Sequence, residues 1–210
     1  MNLYIFMMAP NPTRVRLMLE EKRAAGASID LPEISVNLGK GEQREPEHLA
    51  RNPLAKLPVL ELDDGSFLTE SAAIIEYLEE LHPKPSMIGA SPLERARIRE
   101  IEQIAHGGVL NSVAHIVHAT DSPLGLPPLP EVAELARQTL PGPMQWLEGR
   151  LADGRPFLMG DRPTLPDCTL AAAFQFARFG KLDILGEYEN LARWDAAYRE
   201  RDAARAVLVA

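Results

Sequence analysis

The stretch Pro58-Val59-Leu60-Glu61-Leu62-Asp63-Asp64-Gly65-Ser66-Phe67-Leu68-Thr69-Glu70-Ser71 decides how the rest of the chain is read. Its first five residues and Phe67-Leu68 read as the two strands of a β-hairpin, because Asp-Gly tolerates the positive φ that a tight turn demands. From Thr69 onward the spacing becomes helical: Ile74, Ile75, Leu78 and Leu81 form one stripe, and His82-Pro83 ends it. Upstream, Leu3 to Phe6 reads as a short apolar strand, followed by a turn rich in Pro and Asn. The next segment is helical, with Val15, Met18 and Leu19 at offsets of three and four and Glu20, Glu21 and Lys22 on the wet side. A second strand is expected at Glu33 to Asn37.

Downstream, Lys84 to Ser91 shifts to Pro, Ser and Gly and reads as a linker. No strand pattern follows it. Pro92 to Thr120 is expected to be one long helix, with Ile98, Ile101, Ile104 and Ala105 inward and Glu94, Arg95, Arg97, Arg99 and Glu100 solvated. Asp121 to Pro130 is a Pro-rich loop, and Glu131 to Leu151 a helix broken at Pro141-Gly142-Pro143. Thr164-Leu165-Pro166-Asp167 opens another helix, since a Thr hydroxyl and an acid three places on each satisfy an orphan amide of the first turn. The expected fold class is thus α/β followed by all-α, with one unit over residues 1–83, a linker at 84–91 and a helical unit over 92–210.

The 210 residues are 46% hydrophobic and 25% charged, which supports a packed core and excludes wholesale disorder. A net charge of -8 repels phosphate backbones and argues against nucleic-acid binding. A single cysteine, Cys168, excludes internal disulfides and Cys-based zinc sites and fits a reducing cytoplasm. Met1 to Met8 lacks the basic flank and cleavage site of a signal peptide, and no apolar run approaches the ~20 residues that cross a bilayer. No membrane segment is expected.

Three short stretches carry chemistry. Leu57-Pro58 opens a strand; the plain reading is an edge or turn device, but a cis bond would turn the Leu57 N–H and C=O outward to pair with an extended peptide. Glu70-Ser71 begins an amphipathic helix, either as simple capping or as a holder for the ammonium and carboxylate of an α-amino acid head. Ala9-Pro10-Asn11-Pro12-Thr13-Arg14 lies between strand and helix, where Asn11 is either a turn residue or a donor to an anion such as a thiolate.

Together with Asn37-Leu38-Gly39-Lys40-Gly41-Glu42-Gln43 and Thr164-Leu165-Pro166-Asp167, these stretches resemble, in order and spacing, the glutathione transferase superfamily over nearly the whole chain. The resemblance implies a thioredoxin-like first domain, an all-helical second domain, a homodimer, and glutathione as co-substrate in the cleft between the domains. It implies that Leu57, before a cis Pro58, pairs with the cysteinyl part, that Glu70 and Ser71 take the γ-glutamyl head, that Gln43 and Lys40 approach the glycyl carboxylate, and that Asn11 lies near the sulfur. Lys56 reads as a solvated lysine, and Arg14 and Arg16 as surface or intersubunit pairs.

The family usually places Tyr, Ser or Cys near the start of the first helix, whereas Met7-Met8-Ala9-Pro10-Asn11-Pro12 stands here. The chain is similar in this to an atypical fungal and bacterial group, which uses a Ser and a His on the first long helix of the second domain, acting through water. Aligned on His118-Ala119-Thr120, the equivalent positions are Val113 and Val117; Ser112, His115 and His118 stand nearby, with His106 further off. Ser112, His115 and His118 are therefore the candidates, with Asn11, for stabilising a thiolate, and Cys168 reads as a small buried hydrophobe. The function implied is conjugation of glutathione to a small hydrophobic electrophile, a detoxification chemistry, in a pocket walled by Met7 or Met8, the helix around Ser112 to His118 and the loop Asp121 to Pro130. Two alternatives stand beside it: a glutathione-dependent disulfide reductase or peroxidase without a protein cysteine, and a noncatalytic binding protein.

Overall fold

The apolar run at the amino terminus forms β1 (Asn2–Ile5), and burial of Leu3, Tyr4 and Ile5 shows that both faces of the strand are covered. In the computed structural model, which describes residues 1–209, β1 continues through α1 (Pro10–Ala24) into β2 (Glu33–Ser35), and the two strands pair in parallel. The hairpin is β3 (Val59–Glu61) and β4 (Phe67–Thr69), closed by Gly65 at φ 80°, where a side chain would be strained. It joins antiparallel to β1, with Tyr4 opposite Val59, giving the sheet order β2-β1-β3-β4. The short α2 (Pro46–Arg51), which no periodicity marked, precedes β3.

The helix after the hairpin is α3 (Ser71–Leu81), and its Ile74, Ile75 and Leu78 are buried while Leu81, on its last turn, is exposed. It begins two residues later than its pattern suggests, because Thr69 belongs to β4 and Glu70 has φ 65° and ψ 118°, a conformation no helix accepts.

Beyond α3 the named elements of the described residues are all helices, joined by loops and one isolated bridge between Phe157 and Gly160, as expected of an α/β unit followed by an all-α one: α4 (Pro92–Gln103), α5 (Asn111–Thr120), α6 (Pro130–Thr139), α7 (Pro141–Arg150), α8 (Leu165–Phe179), α9 (Glu189–Arg199) and α10 (Asp202–Val207). The long helix from Pro92 to Thr120 is present but not regular, since Ile104–Leu110 widens into a π-helical turn between α4 and α5. That turn contains Gly108, where a Cβ would meet Pro143 of α7 at 2.7 Å, so the glycine admits the close approach. The break near Pro141 separates α6 from α7.

At the start of α8, Asp167 Oδ2 accepts from Thr164 N–H (2.9 Å) and Thr164 Oγ1–H (3.0 Å), while Oδ1 accepts from Leu158 N–H at 2.9 Å. Burial raises its carboxyl to about 6 against these hydrogen bonds. Thr164→Ala is expected to cost about 1 kcal/mol, read as a lowered thermal midpoint; an unchanged midpoint would show that the cap contributes nothing.

One core cluster runs from Leu3 to Val207 and includes residues of β1, α1, α3 and the helices beyond. Because α1 is packed against α3, α8 and α10, most of its charged face is not wet, Glu20 alone of Glu20, Glu21 and Lys22 staying partly exposed. Glu21 and Lys22 are buried, Glu21 paired with Arg201 (2.6 Å) and Lys22 with Glu79 (2.6 Å) and the carbonyls of His82 and Pro85. Arg14 and Arg16 are likewise interior rather than surface side chains, Arg16 pairing with Glu33 at 2.9 Å. None of the helices among the described residues is long and apolar enough to cross a membrane.

Candidate active site

Two of the three stretches singled out in the sequence touch each other. Asn11 stands in the first turn of α1, whose first and third residues are Pro10 and Pro12, so Asn11 carries the one backbone N–H of those three positions. Ser71 opens α3, and its Oγ–H donates to Asn11 Oδ1 at 3.2 Å. The bond before Pro58 is cis, and neither the N–H nor the C=O of Leu57 is engaged by another described residue. The backbone leading to it is fixed from behind: Asn52 Nδ2–H donates to Lys56 O at 2.9 Å, and His48 Nε2 lies 3.2 Å from the same oxygen. The Lys56 side chain is exposed.

Behind Ser71 lies a buried ionic network that sequence reading did not anticipate. Arg14 is 1% exposed; its Nη1–H donates to Ser71 Oγ (3.1 Å), its Nε–H to Thr169 Oγ1 (3.0 Å), and its Nη2 pairs with Glu102 Oε1. Thr169 Oγ1–H completes the ring by donating to Glu102 Oε1 at 2.9 Å. Burial outweighs the Arg14 charge and raises the Glu102 carboxyl to about 7. The local signal available was only that Asn11 and Arg14, three apart, share a helix face.

Gln43 sits in the turn Glu42–Arg44, which is braced by Asn37 N–H donating to Glu42 Oε2 at 2.6 Å. Gln43 is buried, and its Oε1 has no partner, an uncompensated polar atom of the kind a ligand satisfies. Lys40, in the preceding turn, is exposed, as is Glu70 beside Ser71.

The three candidates on α5 do not converge. Steps of three residues leave Ser112 and His118 about 120° apart around the helix. Ser112 faces a recess with Thr139 and Trp146, and His115 is exposed. His118 alone reaches the turn before α1, in a recess of about 140 Å³ lined also by Met8, Pro10, Leu124, Phe176 and Phe179. Its Nδ1 lies 3.1 Å from Ser122 Oγ, and burial and the neighbouring His115 lower its pKa. Met7 is exposed outside this lining, and Phe176 and Phe179, whose rings stack at 5.9 Å, come from α8, a contribution the sequence reading did not anticipate. His106, not His118, approaches Asn11: its Nε2 lies 3.3 Å from Asn11 Oδ1. Cys168 is buried, and desolvation pushes its thiol well above the usual range, so it is no nucleophile.

Residues 3–86 match the family described as glutathione S-transferase, N-terminal domain, and residues 130–194 match glutathione S-transferase, C-terminal domain. The chain is 34% identical over 209 residues to glutathione S-transferase 2 of Saccharomyces cerevisiae, covering 95% of this chain and 85% of that one. It is 32% identical over 191 residues to maleylacetoacetate isomerase of Pseudomonas aeruginosa, covering 86% and 83%. The crystal structure of a glutathione S-transferase domain-containing protein from Marinobacter aquaeolei superposes with a TM-score of 0.87 at 37% identity, over 97% of this chain and 100% of that one. A four-stranded sheet with a cis Leu57-Pro58 bond, the helical layer packed on α1 and likeness along nearly the full length agree, and the chain belongs to the glutathione S-transferase family.

Proposed function

We propose that the protein is a glutathione transferase that binds the tripeptide beside Asn11, favours its thiolate and presents the sulfur to a small hydrophobic electrophile. The observation that carries this reading is the 3.2 Å contact between Ser71 and Asn11, which brings the acid-hydroxyl helix start and the turn before α1 within the span of one tripeptide. Glu70 and Ser71 hold the γ-glutamyl head, the free N–H and C=O of Leu57 pair with the cysteinyl unit, and Gln43, with Lys40 at the rim, meets the glycyl carboxylate. Asn11 donates to the sulfur. Lowering a thiol pKa from about 8.5 to about 6.5 requires roughly 2.7 kcal/mol, which one or two hydrogen bonds at a helix start supply without a catalytic Tyr, Ser or Cys.

The electrophile occupies the recess beside Pro10, with His118 as a wall rather than a base. That lining has no Lys or Arg and its His118 is biased toward neutrality, which favours an uncharged apolar substrate over a carboxylate-bearing one. Conjugation is an atom-balanced displacement: the thiolate lone pair forms the C–S bond, the leaving group departs with its bonding pair, and the thiol proton passes to solvent. The absence of Tyr, Ser and Cys from Met7 to Pro12 supports membership of the atypical fungal and bacterial group. With this reading go a glutathione-binding unit over residues 1–83, a linker at 84–91, a helical unit over 92–210, a homodimer and a cytoplasmic setting.

Titration calorimetry with reduced glutathione is expected to show saturable binding, and an activated aryl halide is expected to be conjugated. Asn11→Ala is expected to keep binding within a fewfold while lowering kcat/KM about tenfold or more. Absence of binding at millimolar glutathione, or an Asn11→Ala variant as active as the parent, would overturn the reading.

A further inference from the structure

His106 belongs to the π-helical turn between α4 and α5, yet its ring reaches the first helix of the α/β half. Hydrogen-bond direction along this contact is fixed from its charged end. Arg14 has donors only, so Ser71 Oγ accepts from Nη1, and the Ser71 hydroxyl hydrogen is free to donate to Asn11 Oδ1. Burial and the Arg14 charge lower the His106 pKa to about 4, so at neutral pH the ring is uncharged and, with its hydrogen on Nε2, donates to the same oxygen. Both lone-pair directions of Asn11 Oδ1 are then used. The Asn11 Nδ2 hydrogens bond to no described residue, and the nitrogen is not buried.

The geometry points to His106 as a positioning residue that holds the Asn11 carboxamide with its oxygen turned inward and its NH2 group presented to the sulfur of bound glutathione. This assignment rests on the glutathione reading above and adds to it a residue that does not itself touch the sulfur. A carboxamide free to flip would offer the thiolate a carbonyl oxygen half the time, a repulsive partner for an anion. The two inward hydrogen bonds remove that orientation, and because Ser71 and His106 come from different halves of the chain, the orientation of Asn11 reports how the halves are docked.

The test uses the whole protein and four variants: His106→Phe, which fills the space without a donor; His106→Gln, which restores an N–H; Asn11→Ala; and the Asn11→Ala/His106→Phe double variant. The readouts are the pKa of the bound glutathione thiol, from its ultraviolet thiolate absorbance against pH, together with kcat, the KM for glutathione, and the side-chain amide signals of Asn11 by NMR. His106→Phe is expected to raise the bound thiol pKa by about one unit and lower kcat/KM at neutral pH roughly tenfold, with the KM for glutathione held within about twofold. The loss is expected to recover at high pH, His106→Gln to regain most of it, and the double variant to be no worse than Asn11→Ala alone.

A His106→Phe thiol pKa equal to that of the parent overturns the assignment. So does a double variant whose losses multiply, since His106 would then act on the sulfur independently of Asn11. If His106→Phe fails to fold, His106→Leu, which also lacks a donor to Asn11 Oδ1, takes its place: a raised thiol pKa and shifted Asn11 amide signals support the positioning role, and parent-like values refute it. Failure of the glutathione reading is separate and visible first, as absence of calorimetric binding to the parent protein.

Discussion

Glu102→Leu is expected to lower the unfolding free energy by about 3–5 kcal/mol, and Glu102→Gln by less than about 1 kcal/mol. The asymmetry follows from what each leaves behind. Arg14 is 1% exposed and does not lose its proton, and Glu102 Oε1 is the acceptor for both its Nη2 and the Thr169 hydroxyl. Leucine removes that oxygen and strands a buried guanidinium; glutamine keeps an oxygen in its place. Urea unfolding at constant m-value gives the comparison directly, and a Glu102→Leu midpoint equal to that of the parent would show that α1 and α4 are not tied through this pair.

The same pair predicts a pH dependence with a definite sign. The Glu102 carboxyl titrates at about 7 in the fold against 4.5 as its ordinary value, because desolvation exceeds the attraction of Arg14. A raised folded-state pKa means that the contribution is complete below about pH 4.5 and is lost as pH rises through about 7. Glutamine does not ionise, so Glu102→Gln should gain on the parent protein across that window. Asp167, raised to about 6, contributes with the same sign, and His106, lowered to about 4, with the opposite one: its share is full above 6.5 and lost as pH falls through 4. Both are present in parent and variant, so their contributions cancel in the difference apart from the coupling of Asp167 to Glu102. A Glu102→Gln curve parallel to the parent curve from pH 4.5 to 7.5 would overturn the argument.

What was legible in the chain was local. The Asp64-Gly65 turn, the Ile74, Ile75 and Leu78 stripe and the Thr164–Asp167 cap each depend on residues within a few positions of one another, and each stands where its pattern puts it. The charged residues of α1 were misread for the converse reason. A Glu-Lys run on a helix reads as a solvated face, and only partners far along the chain, Arg201 for Glu21 and Glu79 for Lys22, make it an interior one. The same distance hid Arg14, whose partners Ser71, Glu102 and Thr169 lie on three different helices. The histidine nearest Asn11 was hidden by geometry as well as distance, since counting at 3.6 residues per turn does not register the π-helical widening that carries His106.

Ser71→Ala is expected to weaken glutathione binding about thirty- to hundredfold, roughly 2–3 kcal/mol, and to lower fold stability by about 1–2 kcal/mol. One oxygen accounts for both effects. Ser71 Oγ accepts from Arg14 and donates to Asn11, so its loss orphans a buried N–H and frees one side of the carboxamide, while the γ-glutamyl ammonium loses the remaining lone pair of the hydroxyl as an acceptor. The neighbouring acid separates the contributions. Glu70 is exposed, so Glu70→Gln should weaken binding about tenfold through the ammonium alone and leave stability unchanged. Ligand truncation separates them again: Cys-Gly lacks the γ-glutamyl head, so the deficit of Ser71→Ala measured with this dipeptide should shrink to a fewfold. A deficit as large with Cys-Gly as with glutathione would mean that Ser71 acts only by bracing Asn11, and the head of the tripeptide would have to lie elsewhere.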